Sequence, residues 1–182
     1  MSKLVTPKGR AGWSQLREAR GFKGAEENKK FSQDLILDRE HGEMLLSELQ
    51  VIANKLHAQE IEKAKMRGKN VRYAPPVINY KDVEGGGIQL SFKRKETDGA
   101  PAVVGADNQP YTGRINRDTT LQIAFEVVPY VLASVFGVTL KLLAVKVLEE
   151  VLTTESLADL FGAPSSPAPA PQVKKTAIED LF

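Results

Sequence analysis

Apolar and polar positions alternate with a period of two in three stretches of this chain. In residues 29–37, Phe31, Leu35 and Leu37 share one face with Gln33, and Asp34 lies on the other. In residues 88–95, Ile88, Leu90 and Phe92 face one way, and Gln89, Ser91, Lys93 and Lys95 face the other. In residues 119–128, Leu121, Ile123, Phe125 and Val127 point inward. Each pattern predicts a half-buried strand. Between the first two, the period changes. Leu45, Leu49, Ile52 and Leu56 follow helical spacing, widened by Leu46 and Ala53, and Gly68 supplies a stop. One long amphipathic helix over residues 39–67 follows.

The remaining segments are less regular. Residues 4–16 read as a first strand, edge or bulged because of Pro7, Gly9 and Gly12. Residues 17–28 read as a polar loop. From Lys69 the pattern returns to strands, with extended backbone forced at Pro75-Pro76. Gly85-Gly86-Gly87 reads as a hairpin tip or hinge, and residues 101–104 as a short strand. Residues 138–148 are nearly all apolar and fit a buried strand or a helix; Gly137 and the Val/Thr content favour strand. Residues 153–161 read as a short helix capped by Thr154. The expectation is a mainly β protein of six or seven strands with one long helix. Its order suits a small, partly open antiparallel barrel with the helix across one end.

Composition changes the picture at the C-terminus. The run from Ala163 to Pro171 is rich in Pro, Ala and Ser and has no bulky apolar residue to bury. It reads as a disordered, semi-rigid spacer; residues 163–177 as a coil would span roughly 20 Å. Beyond it, Ile178, Glu179, Asp180, Leu181 and Phe182 form an acidic-apolar tip. Three parts follow: a folded domain over 1–150, a short helical extension over 151–162, and a linker with its tail over 163–182. Charge divides accordingly, net +6 in residues 1–148 and −4 in 149–182. A basic body favours polyanions, and an acidic tail mimics one.

Several classes of chemistry are not indicated. There are no cysteines, so disulfides, thiolate metal sites and Cys nucleophiles are excluded. The two histidines, His41 and His57, are sixteen residues apart in the helix and read as surface residues. No phosphate-binding glycine loop and no nucleophile elbow is present. No catalytic set, metal or cofactor is expected. Met1-Ser2-Lys3 is followed by no apolar leader, and the stretch from Val127 to Leu140 is too short to span a bilayer. These features predict a cytoplasmic protein with no membrane partner.

The cations come with aromatic neighbours. Lys63, Lys65, Arg67, Lys69 and Arg72 place five positive charges within ten residues, followed by Tyr73 and Tyr80. Lys93 and Lys95 flank Arg94 beside Phe92, Arg10 lies near Trp13, and Arg114 follows Tyr111. Single-stranded nucleic acid needs this combination, with cations tracking phosphates and exposed rings stacking on bases. The candidate contacts are Arg10, Lys69, Arg72, Lys93, Lys95 and Arg114 for phosphates, and Trp13, Tyr73, Tyr80 and Tyr111 for bases. Each ring has a competing role in the core, and Phe31, Phe92 and Phe125 read as core. Asp-Leu-Phe occurs twice, at 159–161 and 180–182. It suits a short plug for an apolar pocket, so a second reading is a non-enzymatic, protein-binding adaptor or structural protein that uses those motifs as bait.

A family resemblance enters at this point. The run from Lys3 to Leu16, the segment Lys30–Leu37, Pro101–Gly105 before Tyr111-Thr112-Gly113-Arg114, and Phe136–Leu148 resemble, in that order, tailed-phage single-stranded DNA-binding proteins with an OB fold. The terminal Phe behind acidic residues is similar to the tail of podovirus helix-destabilising proteins. The resemblance covers most of residues 3–150 and the tip. The tail departs from the family's more acidic tails, carrying only Glu179 and Asp180 behind Lys174 and Lys175. The resemblance implies an OB barrel and sequence-tolerant binding of single-stranded DNA in phage replication or recombination. It also implies a tail that recruits replication proteins such as a DNA polymerase, and it leaves room for a homo-oligomer.

Overall fold

The structure is a computed structural model that describes residues 3–21, 28–132 and 135–149. The chain divides into two units, Met1–Val151 and Leu152–Phe182. The expected helix over 153–161, the linker and the tail lie outside the described residues.

Eight strands and one long helix make up the described part. In chain order these are β1 (Lys3–Val5), β2 (Gly9–Arg20), β3 (Lys30–Leu37), α1 (Arg39–Met66), β4 (Lys81–Val83), β5 (Gly87–Lys95), β6 (Ala102–Val104), β7 (Thr120–Leu132) and β8 (Val135–Glu149). Five of the strands close a ring. β2 pairs with β3, β3 with β5, β5 with β8, β8 with β7, and β7 with β2. All these pairings are antiparallel except β5–β8, which is parallel and registers only Lys93 with Lys141. β1 and β6 extend the ring at β7 and β8, and β4 forms a hairpin with β5. A five-stranded, partly open Greek-key barrel is the OB architecture, as the alternation and element order led one to expect.

The barrel is filled as the period-two pattern dictates. Phe31, Leu35, Leu37, Ile88, Leu90, Phe92, Leu121, Ile123, Phe125 and Leu142 are buried. The rings of Phe92 and Phe125 meet edge to face at 5.0 Å. Gln33 is also fully buried, with Nε2 donating to the Asp34 carbonyl at 2.8 Å.

The helix lays the expected stripe, Leu45, Leu49 and Ala53, against the barrel, with Leu46, Ile52 and Leu56 at its margins. Gly42 permits its close approach to β5, since a Cβ there would stand 2.8 Å from the Ile88 Cβ. Gly68, at φ +70°, ends the helix: its N–H bonds the Lys65 carbonyl, and the N–H of Lys69 bonds that of Ala64.

The other end is capped by Asp38, whose side chain accepts the His41 N–H at 2.9 Å and faces His41 Nδ1 at 2.7 Å. The backbone hydrogen bond from His41, then its side chain, holds the Asp38 carboxyl below its ordinary value. A depressed folded-state value means the cap stabilises above the unfolded value near 3.9 and is lost as pH falls through the folded one. Asp38→Ala is therefore expected to lower the melting temperature at pH 7, with the difference from the unaltered chain closing in strong acid. A difference that stays constant down to pH 2 would count against the charged cap.

Four expectations need correction. Residues 17–20 continue β2 and are not loop, because Leu16 and Ala19 are buried and Arg20 registers with Lys30. Residues 69–80 are extended but pair with no strand. They run back along the helix as a strap, Tyr73 beside His57 and the Pro76 carbonyl accepting from Gln50 Nε2 at 2.9 Å. His57 is a half-buried member of an aromatic cluster, 5.1 Å from Phe136, and not a surface residue. β7 runs past residue 128 through Pro129 to Leu132, because β1 covers its outer edge only as far as Glu126 and the missing N–H of Pro129 costs no ladder bond there.

Candidate nucleic-acid interface

The polar parity of β3 and β5 forms the outer face of the barrel. Cross-strand partners stack it into rows: Lys30 with Lys95, Ser32 with Lys93, Asp34 with Ser91, and Ile36 with Gln89. The parallel pair adds Lys141 beside Lys93. Asp34 organises the middle row, accepting from Ser91 Oγ at 2.6 Å and from Gln89 Nε2 at 2.7 Å. Lys30, Lys93, Lys95 and Lys141 lie on one side of that carboxylate, and Lys81, the partner of Gln89, lies on the other.

Beyond the Lys93–Lys141 contact, β8 leaves β5, and the hairpin strand β4 takes its place at β5's edge. The divergence opens a groove of about 310 Å³. One wall is the strap and the start of β4, Ile78 to Lys81. The other is Val138 to Leu140 of β8, and Gln89, Ser91 and Lys93 also line it. Tyr80 stands at this groove, 46% exposed.

The β7–β8 hairpin continues that wall. Tyr130 is the cross-strand partner of Gly137, next to Val138. A Cβ at Gly137 would fall on the Tyr130 ring, so the ring lies against bare backbone while 44% of the residue remains exposed. Leu132 and Val135 follow at the exposed tip, and residues 127–140 carry no charge. A ring held on one side and open on the other is a platform for a base.

The residues singled out from the sequence fall into three groups. Tyr80 and Lys93 meet in the groove, with Lys95 two positions along the same face. Among the described residues, neither lysine has a carboxylate within 4 Å. Arg10 and Trp13 lie on β2. Trp13 is 61% exposed in the bulge between Ala11 and Ser14, and Arg10 is ion-paired with Asp118 at 2.9 Å. Tyr111 and Arg114 sit in the 105–119 loop, which Arg17 fastens to β2 by donating to the carbonyls of Thr112 and Gly113. Tyr111 Oη donates to the Arg114 carbonyl at 3.3 Å. Lys69 and Arg72 are exposed at the start of the strap, outside the groove lining. Tyr73 is half-buried, its ring 6.4 Å from both His57 and Phe136.

Sequence reasoning missed Lys30, Lys81, Lys141 and Tyr130. Lys30 opens an alternating strand and Lys141 interrupts an apolar one, so both carried a signal; Lys81 carried none. Tyr130 carried none, lying in an apolar stretch between the two strands read from the sequence.

Among the described residues no three of His, Asp and Glu gather as a metal site, and no helix is long and apolar enough to cross a membrane.

The ring of strands and its open seam define an OB-fold protein with a cationic, ring-bearing outer face. Solved structures of phage single-stranded DNA-binding proteins have this fold. One is gp2.5, encoded by bacteriophage T7: TM-score 0.69 at 14% identity, over 92% of this chain and 99% of that one. Another is the single-stranded DNA-binding protein of bacteriophage Enc34 in complex with single-stranded DNA: TM-score 0.57 at 14% identity, over 84% of this chain and 89% of that one. At such identity the likeness establishes the fold. No family model and no curated protein matches the sequence.

Proposed function

We propose that this chain binds single-stranded DNA without sequence preference, as a non-enzymatic protein of phage DNA replication or recombination in the cytoplasm of a bacterial host. The observation that carries this reading is the outer face of β3, β5 and β8. It sets lysines in register beside a groove flanked by two exposed tyrosines. Cations there hold phosphates, and the rings take bases whose identity they do not read. Among the described residues the face is built of strands, whereas a duplex reader of the helical type presents a helix to the major groove.

The second part of the proposal rests on the sequence. The acidic-apolar tip, Ile178 to Phe182, contacts a replication protein such as a polymerase. Its tether gives it an effective concentration in the millimolar range as a competitor for the cationic face.

One titration tests the phosphate face and the competing tail. Oligo-dT is added to the chain while the fluorescence of Trp13, the single tryptophan, is followed across a salt series. Affinity is expected to fall with salt at a log–log slope near −0.7 per phosphate neutralised. Removing residues 163–182 should leave the affinity unchanged or raise it. A slope near zero would remove the phosphate face from the account, and weaker binding by the shortened chain would remove the competing tail.

A further inference from the structure

One lysine of the cationic row already has an anion on it. Lys141 Nζ lies 3.0 Å from Asp98 Oδ2. Lys93 and Lys141 are backbone partners in a parallel pair, so their side chains share the outer face. Asp98 ends a single 3-10 turn, Glu96–Asp98, that follows β5 directly. The turn is not free to swing. Arg94 donates from Nε to the Gly99 carbonyl at 2.7 Å, from Nη2 to the Asp98 carbonyl at 2.5 Å, and from Nη1 toward the Leu142 carbonyl at 3.4 Å. The guanidinium therefore grips the backbone of the turn and leaves the Asp98 carboxylate to Lys141. The chain has built an oxyanion into a cluster of Lys93, Arg94, Lys95 and Lys141, where the outer face otherwise invites a phosphate.

We propose that Asp98 holds the place of a backbone phosphate on Lys141 and so sets how tightly the strand is bound at that end of the face. This rests on the nucleic-acid reading above and adds an affinity-setting residue to it. A strand crossing the row must either displace the carboxylate or pass with one cation fewer. The pairing is not a pH switch. The hydrogen bond from Lys141, then the charges of Lys141, Arg94 and Lys95, hold the Asp98 carboxyl below its ordinary value against the opposing effect of desolvation, so it stays ionised through the neutral range.

The test is Asp98→Asn in the full chain, with the same oligo-dT titration. Asparagine keeps the volume, and the turn keeps its anchor because Arg94 bonds carbonyls and not the carboxylate. The freed Lys141 should steepen the salt slope by about 0.7, equivalent to roughly a five-fold gain in affinity at 0.1 M over 1 M salt. Lys141→Gln in the Asp98→Asn background should abolish the gain, because Lys141 is the cation that the exchange releases. Equal slopes for the unaltered and Asp98→Asn chains would overturn this inference alone, as would weaker binding by the variant. Salt-insensitive or absent binding by the unaltered chain would overturn it together with the function on which it rests.

Discussion

Replacing both Tyr80 and Tyr130 with alanine is expected to weaken oligo-dT binding by about 2 kcal/mol or more, since each stacked base contributes roughly 1–3 kcal/mol. At about 1.4 kcal/mol per tenfold, that is roughly a thirty-fold rise in Kd. Both rings are partly exposed, so their removal opens no cavity and should leave the melting temperature nearly unchanged. Tyr130→Phe keeps the stacking face and should bind as the unaltered chain does. Gly137→Ala reaches the same platform from beneath, because the added methyl would occupy the position of the Tyr130 ring. It should repeat much of the loss seen for Tyr130→Ala. An alanine pair that binds oligo-dT as tightly as the parent would show that bases do not lie along this groove. The phosphate row would then stand without its rings.

Phe92→Ala is the change expected to do most harm to the fold. Phe92 and Phe125 are both fully buried and meet edge to face inside the barrel. Truncating such a ring costs about 3–5 kcal/mol, through lost transfer energy and the cavity left behind. A domain of this size is stable by about 5–15 kcal/mol, so a large share of its stability would go. Urea denaturation should show a lower midpoint with an unchanged slope. The loss bears on function as well. Phe92 lies next to Lys93, whose contact with Lys141 is the single registered pair closing β5 on β8. Loosening the core there disturbs the seam at which the groove opens. A midpoint shift worth less than about 1 kcal/mol would mean that the barrel interior rearranges around the missing ring.

Much of this architecture could be read before any coordinates. A strand buried on one face writes its orientation into a period of two, and a helix lying on a sheet writes its own into a period of 3.6. Phe31, Leu35, Leu37, Ile88, Leu90 and Phe92 are inside because neighbouring residues must point opposite ways. Leu45, Leu49 and Ala53 are inside because they share a helix face. Lys93 and Lys95 were placed on the outer face by the same logic. Where periodicity was absent, the reading failed. The strap over 69–80 looked like strand because its prolines enforce extension, but extension is not pairing. The β7–β8 hairpin end received no assignment, because residues 129–137 show no alternation.

The local chemistry of the chain determined the elements, the inward face of each, and the presence of cations beside rings, since all of these depend on residues a few positions apart. Only the closed barrel decided which groups meet. Arg10 is engaged by Asp118 from 108 residues away, Lys141 by Asp98, and Tyr130 rests on Gly137 across a hairpin. Side-chain alternation states that a residue points outward; the register between distant strands states what stands next to it, and a binding face is made of those neighbours.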